Sequence, residues 1–471
     1  MRPLLLLIAS ALPLAAQQRP LTKADSALVS RLLQAEDRRD STAAAWQEGL
    51  AHADPRIRLI ARRGLARVRD PQFGARDSLP PLPVSRHWPE PAWRLRYRAL
   101  KDRGDDCAAM RAGLDDGAWH VRLRAADLVG AACAGDDSIV STLRAWADDP
   151  AGRGASRGGS WHPAAHALVA LARLKPDQAK GRVAAAAAGH NPWLRGYAAR
   201  AALVLSDTST LRTLAADPDD NVKEIAVEEL SKLIGHDGDD VYLAALHAPG
   251  VQAVRAAALA LKGSPRPDAA DSALAAYRRV LEGESETARD ARIALLEVAG
   301  KTAADDQPPP ADTTLPRDAV RLALGADVRL QVDMEGGGSW VVKLRGDVAP
   351  ITAARVLALA RQGYYNGLIW QRVEPDFVIQ GGGPGANEYV GYQHYLRDEL
   401  GTLPHARGTV GMSTRGHDTG DAQWFVNLKD NPALAKDYTV FGEVVEGMPV
   451  VDGILEGETM TRVTVVMPAR R

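Results

Sequence analysis

The stretch Trp370-Gln371-Arg372-Val373-Glu374-Pro375-Asp376-Phe377-Val378-Ile379-Gln380-Gly381-Gly382-Gly383 decides the fold of the carboxy-terminal part of this chain. An apolar, strand-like run there carries a cation, a large aromatic side chain and an amide within a few residues of one another. The glycines that follow let another backbone or a ligand approach closely. The stretch therefore predicts one wall of a binding pocket that is built on strands.

Two further blocks supply the rest of the predicted pocket. One runs from Gly408-Thr409-Val410-Gly411-Met412-Ser413 to Asp421-Ala422-Gln423-Trp424-Phe425-Val426, and the other is Tyr438-Thr439-Val440-Phe441-Gly442-Glu443-Val444. In their order and their separations the three blocks resemble the cyclophilin family of peptidyl-prolyl cis/trans isomerases. The resemblance begins at about Val328 and covers the last part of the chain.

This resemblance implies a closed antiparallel β-barrel with flanking helices, and an isomerase that uses no cofactor and no metal. Arg372 matches the family's catalytic arginine, and Gln380 matches the glutamine that orients it. The positions that match the family's substrate pocket are Phe377, Val378, Met412, Thr414, Gln423, Phe425, Leu434 and Tyr438. Ordinary barrel core is the alternative for the apolar members, above all for Met412.

Prolyl isomerisation requires selective binding of a twisted peptide bond. Rotation breaks amide resonance against a barrier of about 18–20 kcal/mol, and uncatalysed exchange at proline takes about tens to hundreds of seconds. A fixed cation that donates to the pyramidal prolyl nitrogen favours the twisted state, because only there is the lone pair free. The resemblance assigns this role to Arg372, for which a surface arginine in a salt bridge is the alternative.

The chain departs from the family pattern at several pocket positions. Members often carry methionine at the place of Val378, asparagine at the place of Thr414 and histidine at the place of Tyr438. The contact at Thr414 is expected to run through backbone groups, which threonine retains. A tryptophan associated with tight cyclosporin binding in the family falls at Ala433, which predicts weak inhibition by cyclosporin.

The region from about Leu21 to Gly300 carries a loose internal repeat. Turn-like starts recur at Asp54-Pro55, Asp116-Gly117, Asn191-Pro192, Asp217-Pro218 and Pro249-Gly250. Asp or Asn beside Pro starts a helix, and an alanine-rich amphipathic stretch follows each start. With a period of roughly 26 to 42 residues, the recurrence resembles the HEAT family of helical repeats. We predict an α-solenoid of HEAT-like helix pairs that binds a protein partner.

Length and composition predict a multidomain protein, since 471 residues exceed one ordinary domain. A polar, proline-rich stretch is interpreted as a linker, and alternating apolar residues beyond it predict strands. The predicted division is a signal peptide at 1–16, a HEAT-like repeat domain at 21–300, a linker at 301–318 and an isomerase domain at 319–471.

The first residues are typical of a secretory signal peptide, because Arg2 precedes a short apolar run and small residues up to Ala16. We therefore expect a bacterial periplasmic or secreted protein with no membrane span in its mature chain. The net charge of -1 gives no strong field for nucleic acid.

In an oxidising compartment Cys107 and Cys133 could form a disulfide; two small buried apolar side chains are the alternative.

Two hypotheses of function remain from the sequence. The first is a peptidyl-prolyl isomerase for exported proteins whose repeats bind a partner, with proline-containing polypeptides as substrates. The alternative is a non-catalytic scaffold that binds proline-containing segments.

His162 and His166 are spaced to share one helix face, but the sequence offers no third ligand, so we expect packing or capping there instead of a metal.

Overall fold

The computed structural model describes residues 21–70, 81–152 and 160–466, and the predicted signal peptide at 1–16 lies outside these ranges. Helices fill the described chain up to the predicted linker. Their bounds are α1 Lys23–Asp37, α2 Ala45–Leu50, α3 Pro55–Arg69, α4 Ala92–Ala99, α5 Cys107–Leu114, α6 Trp119–Leu128, α7 Asp137–Ala147, α8 His162–Leu174, α9 Pro176–Ala187, α10 Pro192–Val204, α11 Thr208–Leu214, α12 Asp220–Ile234, α13 Asp239–Ala245, α14 Val251–Leu261, α15 Ala269–Glu282 and α16 Arg289–Val298.

The turn-like starts in the sequence begin helices as predicted. The carboxylate of Asp54 accepts the backbone N–H of Arg56 at the start of α3, and the side chains of Asn191 and Asp219 cap α10 and α12 in the same way. Each cap satisfies amide groups that the first helical turn leaves without a partner. Within residues 21–70, 81–152 and 160–466, no helix has both the length and the apolar character needed to cross a membrane.

From α6 onward the helices pack in two rows. Helices α6, α8, α10, α12, α14 and α16 contact one another in that succession, and α7, α9, α11, α13 and α15 pack beside them. Buried alanines such as Ala198 and Ala202 let neighbouring helices approach closely. Arg195 of α10 donates to both carboxylate oxygens of Asp217, at 2.7 and 2.9 Å, just before the next capped start. This bidentate pair connects one repeat to the next.

The two cysteines are joined. Cys107 at the start of α5 and Cys133 in the turn before α7 form a disulfide with Cα atoms 5.3 Å apart. The sequence left this pairing open between a bridge and two reduced, buried thiols. The bridge connects α5 to the turn before α7, and the two cysteines are 26 residues apart in the chain.

The carboxy-terminal part is a curled antiparallel sheet with short helices. Its elements are α17 Ala319–Ala323, β1 Arg329–Met334, β2 Ser339–Leu344, α18 Pro350–Arg361, β3 Arg372–Val373, β4 Val378–Gly381, β5 Thr409–Met412, β6 Trp424–Asn427, β7 Val440–Glu446, α19 Met448–Val451 and β8 Met460–Val466. The strand order is β3-β4-β6-β5-β7-β2-β1-β8. The burial of β1 alternates along the strand, as the sequence pattern predicted.

The prediction of a closed barrel is wrong. The sheet is open between β3 and β8, which lie at its two edges. Short irregular segments connect the edges instead: Trp370 donates its backbone N–H to Glu458 and accepts one from Gly457, and Ile369 forms an isolated bridge with Thr459. A two-residue β3 is too short to form a full ladder with β8, so the sheet remains a half-barrel.

The first three helices do not pack with the helical rows. Their apolar side chains, including Leu32, Trp46 and Ile60, belong to the same buried cluster as Trp340 and Phe441 of the sheet, whereas the helices from α5 onward have a core of their own. The first three helices therefore share a core with the sheet, although they precede residue 300 in the chain. The predicted linker is also anchored at its start, because Asp306 pairs with the buried Arg292 of α16 at 3.0 Å.

Arg67 of α3 is a buried cation that connects α1, α3 and the sheet region. Its side chain is 1% exposed and pairs with Glu36 of α1 at 2.7 Å. It also donates to the carbonyl oxygens of Val348, Glu399 and Leu400. Burial opposes the ionisation of Glu36, but Arg63 and Arg67 outweigh it and hold the pKa of its carboxyl below the usual value.

Replacing Arg67 by methionine should destabilise the whole protein. The change leaves the buried Glu36 short of its main partner and three carbonyl oxygens without a donor, so we expect a loss of about 3–5 kcal/mol in the free energy of unfolding. Urea denaturation of the full chain measures it. Arg62→Met, at an exposed position of the same helix, is the control and should change stability by about 0.5 kcal/mol or less. Equal effects of the two changes would show that Arg67 is not buried in this way.

Candidate active site

One row of paired residues crosses four strands of the sheet. Arg372 in β3 lies opposite Gln380 in β4, Gln380 lies opposite Phe425 in β6, and Phe425 lies opposite Gly411 in β5. Directly opposite residues of antiparallel strands carry their side chains on the same face. The structure therefore brings Arg372, Gln380 and Phe425 together on one face of the sheet, although more than 50 residues separate the first from the last.

Phe425 occupies the space that the glycine of this row leaves open. A Cβ atom on Gly411 would lie 2.3 Å from Cζ of Phe425, so a side chain there forces the ring to move. The ring of Tyr438 meets Phe425 edge-on, with centroids 5.5 Å apart, and His405 stacks on it at 5.9 Å. These contacts fix an aromatic floor beside Arg372 and Gln380.

Arg372 projects from this face with its side chain 46% exposed. Its guanidinium carbon lies 6.0 Å from the ring centre of Phe377, and its Nε lies 3.9 Å from the carboxylate of Glu374. An exposed ion pair at that distance contributes little binding energy. The guanidinium is thus close to one aromatic ring and available to a further acceptor. Gln380, by contrast, is buried.

Helix α4 holds the turn between Arg372 and Phe377. Arg94 is fully buried and donates to the carbonyl oxygens of Pro375 and Leu428, at 2.8 and 2.6 Å. Arg98 donates to the carboxylate of Asp376 at 2.5 Å. A helix from the amino-terminal part of the chain therefore positions the loop that joins β3 and β4.

The other predicted pocket residues fall into two groups. Val378 is two residues from Gln380 in β4 and so lies on the same face, while Leu434 and Thr414 are half-buried in the segments after β6 and β5. Gln423 is buried and accepts a hydrogen bond from Gln371 at 2.9 Å. Its role in the structure is to hold neighbouring groups of the same wall.

Met412 does not lie on the pocket face. It is paired with Trp424 in β6 and is one residue removed from Gly411, so its side chain points to the opposite side of the sheet. There it is 2% exposed and belongs to the buried cluster that contains Trp340 and Trp370. The predicted substrate contact of Met412 is corrected to barrel core, which is the alternative that the sequence left open.

A cleft of about 670 Å³ lies between this face and the helical rows. From the sheet side it is lined by Arg372, Gln380, Gln371 and Ile369, and from the loop that follows β4 by Ala386, Asn387, Glu388 and Tyr389. The helical side consists of Pro192, Trp193, Gly196, Tyr197, Arg200, Asp219, Asn221, Val222, Glu224, Ile225 and Glu228, and Glu456 completes the wall. Arg372 and Gln380 thus open into a space that α10 and α12 wall off.

Successive helices contact the sheet region directly and so fix this wall. His120 of α6 and His162 of α8 bond the carbonyl oxygens of Ile454 and Glu456, at 3.0 and 2.6 Å. The remaining contacts are Tyr197 to Glu456 at 2.9 Å, Asn221 to Gly385 at 2.9 Å, Arg255 over the ring of Tyr389 at 4.0 Å and Arg415 to Asp290 at 2.5 Å. Each comes from a different helix of one row.

Several groups of the site have shifted pKa values, and two of them bear directly on its chemistry. Burial raises the pKa of Tyr438, with Asp437 adding to the effect and Arg372 opposing it. Burial also raises the pKa of Glu224 in the cleft to about 8, with Glu228 and Glu388 adding to it and Arg255 opposing it. Tyr438 therefore remains a neutral phenol at physiological pH, and Glu224 can take up a proton there.

Sequence reasoning missed the helical wall of the cleft. The starts Asn191-Pro192 and Asp217-Pro218 were predicted only as beginnings of helices, yet Trp193 and Asn221, which follow them closely, face the site. Their role depends on contacts across more than 160 residues, such as the bond between Asn221 and Asn387 at 2.9 Å. The recurrence of capped starts in the sequence indicates a row of helices, but it does not indicate that this row faces the sheet across the cleft.

The two histidines singled out in the sequence have other partners. His162 lies 2.5 Å from the hydroxyl of Ser160 in addition to its bond to Glu456, and His166 lies 2.6 Å from the carboxylate of Asp127. In the described part of the chain, no group of three or more His, Cys, Asp or Glu side chains is placed to hold a metal ion.

Comparison with known proteins identifies the carboxy-terminal part. The family described as cyclophilin type peptidyl-prolyl cis-trans isomerase/CLD matches residues 329–469. A peptidyl-prolyl cis-trans isomerase of Helicobacter pylori is 38% identical over 119 residues, which cover 24% of this chain and 73% of that protein. Peptidyl-prolyl cis-trans isomerase B of Bacillus subtilis is 34% identical over 134 residues, which cover 28% of this chain and 94% of that protein.

The chain belongs to the cyclophilin-type peptidyl-prolyl cis-trans isomerases, and the sequence resemblance is confirmed. Among solved structures, a cyclophilin-type isomerase of Cryptosporidium parvum is 21% identical, covers 30% of this chain and 98% of its own, and has a TM-score of 0.28. These matches concern the sheet part of the chain only.

Substituting Gly411 by alanine should impair both isomerisation and stability. The new methyl group displaces the Phe425 ring from its place beside Gln380, and we expect kcat/KM to fall about tenfold to hundredfold with a stability loss of about 1–3 kcal/mol. A protease-coupled peptide assay and a thermal melt measure the two effects. Gly181→Ala, in an exposed turn of α9 with open space around it, is the control and should leave activity unchanged. Full activity of Gly411→Ala would contradict the placement of Phe425.

Proposed function

We propose that this chain is a prolyl isomerase of exported proteins in which Arg372 stabilises the pyramidal prolyl nitrogen during rotation. Phe377, Val378, Phe425, Leu434 and Tyr438 hold the proline ring, and Gln380 and Gln423 keep the polar edge of the site in place. The observation that supports this most is the row on the sheet, because it sets an available guanidinium beside an aromatic floor.

The proposed chemistry requires a donor that binds the twisted bond better than the planar one. In the planar amide the nitrogen lone pair is delocalised, so the guanidinium gains little from it. At the transition state the lone pair is localised, and a charge-assisted hydrogen bond then contributes about 1.5–3 kcal/mol. That corresponds to about one to two decades in rate. The reaction makes and breaks no covalent bond, so no nucleophile is required.

The helical part is proposed to be an α-solenoid of HEAT-like pairs that engages the protein being isomerised. The successive contacts of α6, α8, α10, α12, α14 and α16 and the bidentate Arg195–Asp217 pair support this reading. Because the row faces Arg372 across a cleft, a client bound to the helices is held at a high effective concentration near the site.

A location outside the cytoplasm, periplasmic or secreted, is part of the proposal. Its supports are the signal-like run that ends near Ala16 and the disulfide between Cys107 and Cys133. Disulfides persist mainly in oxidising compartments.

The second candidate is a scaffold that binds proline-containing segments without turning them over. Arg372 is half-exposed and close to Glu374, which is the arrangement of a surface salt bridge. This observation is the one that favours the scaffold.

Arg372→Ala in the full chain should separate the two candidates. We expect kcat/KM for an Ala-Pro peptide to fall about tenfold to hundredfold, while the affinity for the peptide changes little, because the aromatic floor remains. Isomerisation is followed by exchange spectroscopy and binding by fluorescence titration. Arg462→Ala, at an exposed strand position of β8, is the matched control. Binding without isomerisation by the unmodified chain would favour the scaffold.

A further inference from the structure

We propose that the cleft between the helical rows and the sheet is a binding subsite for a basic side chain, lysine or arginine, that flanks the isomerised proline. The subsite rests on the proposed function, because its ligand is the same polypeptide that Arg372 acts on. The ligand is a cationic segment of a client protein, and the helical side of the cleft selects it.

The cleft is continuous with the catalytic face. Arg372 and Gln380 line it together with residues of α10 and α12, so a chain bound at the aromatic floor can extend along the helical wall. Its volume of about 670 Å³ is that of a pocket for several side chains. A polypeptide, which extends on both sides of its proline, is the ligand that fills such a space.

The charge of the lining selects a cation. Five carboxylates line the cleft, from Asp219, Glu224, Glu228, Glu388 and Glu456, against the two guanidinium groups of Arg200 and Arg372. Asp219 caps α12, Glu456 accepts the hydroxyl of Tyr197, and Glu228 lies 3.8 Å from Arg255. Glu224 and Glu388 line the cleft and form no ion pair within the described residues, so a cation of a bound segment can pair with either carboxyl group once it is ionised.

Aromatic rings complete the subsite. Trp193, Tyr197 and Tyr389 line the cleft, and the chain itself already places arginines over two of these rings, Arg200 over Tyr197 at 4.5 Å and Arg255 over Tyr389 at 4.0 Å. Faces of this kind attract cations.

The preference for a basic flank should rise with pH. Glu224 faces Glu228 on its own helix, Arg255 on α14 and Glu388 on the loop after β4, and its pKa is raised to about 8, chiefly by burial. Below that pH it is protonated and neutral, and above it the charge is present. A bound lysine keeps its own charge up to about pH 10. Attraction therefore increases between about pH 7 and pH 9.

The test compares peptides that share one Ala-Pro pair and carry lysine, alanine or glutamate at each flanking position. With the full chain at pH 8.5, we expect kcat/KM for the best lysine peptide to exceed that of its alanine counterpart by about threefold to tenfold, and glutamate to be the poorest. In Glu224→Gln we expect the lysine-to-alanine ratio of kcat/KM to fall close to one and to lose its rise with pH. Glu229→Gln, which pairs with Lys232 and does not line the cleft, should keep both. Added salt should reduce the ratio.

Two outcomes overturn the proposal. If the lysine, alanine and glutamate peptides have equal kcat/KM values and the activity still depends on Arg372, the subsite is rejected while the proposed isomerase activity stands. A lysine preference that survives Glu224→Gln with its pH dependence unchanged would place the selection elsewhere. Fluorescence titration measures the Kd of the same peptides and so tests the subsite even if the chain does not isomerise them. A preference for lysine in Kd that depends on Glu224, in a chain without isomerase activity, would support the subsite and reject the catalytic proposal. Thermal melts confirm that each variant is folded.

Discussion

A buried guanidinium group must have its charge and all its donors satisfied, and this requirement determines how the two parts of the chain meet. Arg94 of α4 is fully buried and binds Asp452 at 3.0 Å together with two carbonyl oxygens of the sheet region. Arg407 of the sheet region binds the same carboxylate at 2.6 Å, so two cations share Asp452. Such groups are satisfied only when helix and sheet have one relative position. The amino-terminal helices are therefore part of the isomerase unit.

The position of the sheet face that carries Arg372 follows from this anchoring. Arg94 holds the loop between Arg372 and Phe377, and Arg67 holds the segment around Glu399 that precedes β5. The helical row then continues from α6 to α16 along one side of the sheet, with a contact from each successive helix. Because the row is fixed at many points, its inner side forms a wall opposite Arg372 and not a mobile arm.

Local patterns in the sequence predicted much of this structure. The alternation in β1, the capped starts of α10 and α12, and the three blocks that carry Arg372 and Phe425 all depend on residues near one another in the chain. What could not be predicted depends on distant contacts. The apolar face of α1 shows that it packs, but not that it packs on the sheet. Likewise, Met412 alternates with Gly411, and only the pairing with Trp424 tells which of the two faces the pocket. The open edge between β3 and β8 reflects the shortness of β3.

Buried charges join helix and sheet into one unit, and a double-mutant cycle on Arg94 and Asp452 tests this most directly. Arg94→Met, Asp452→Asn and the double variant are compared with the unmodified chain by urea denaturation. If the pair is buried and shared as the structure has it, the two changes are not additive, and their coupling in the free energy of unfolding is about 1–3 kcal/mol. Additive effects, with no coupling, would contradict the account, because they would mean that α4 and the sheet do not meet through this pair.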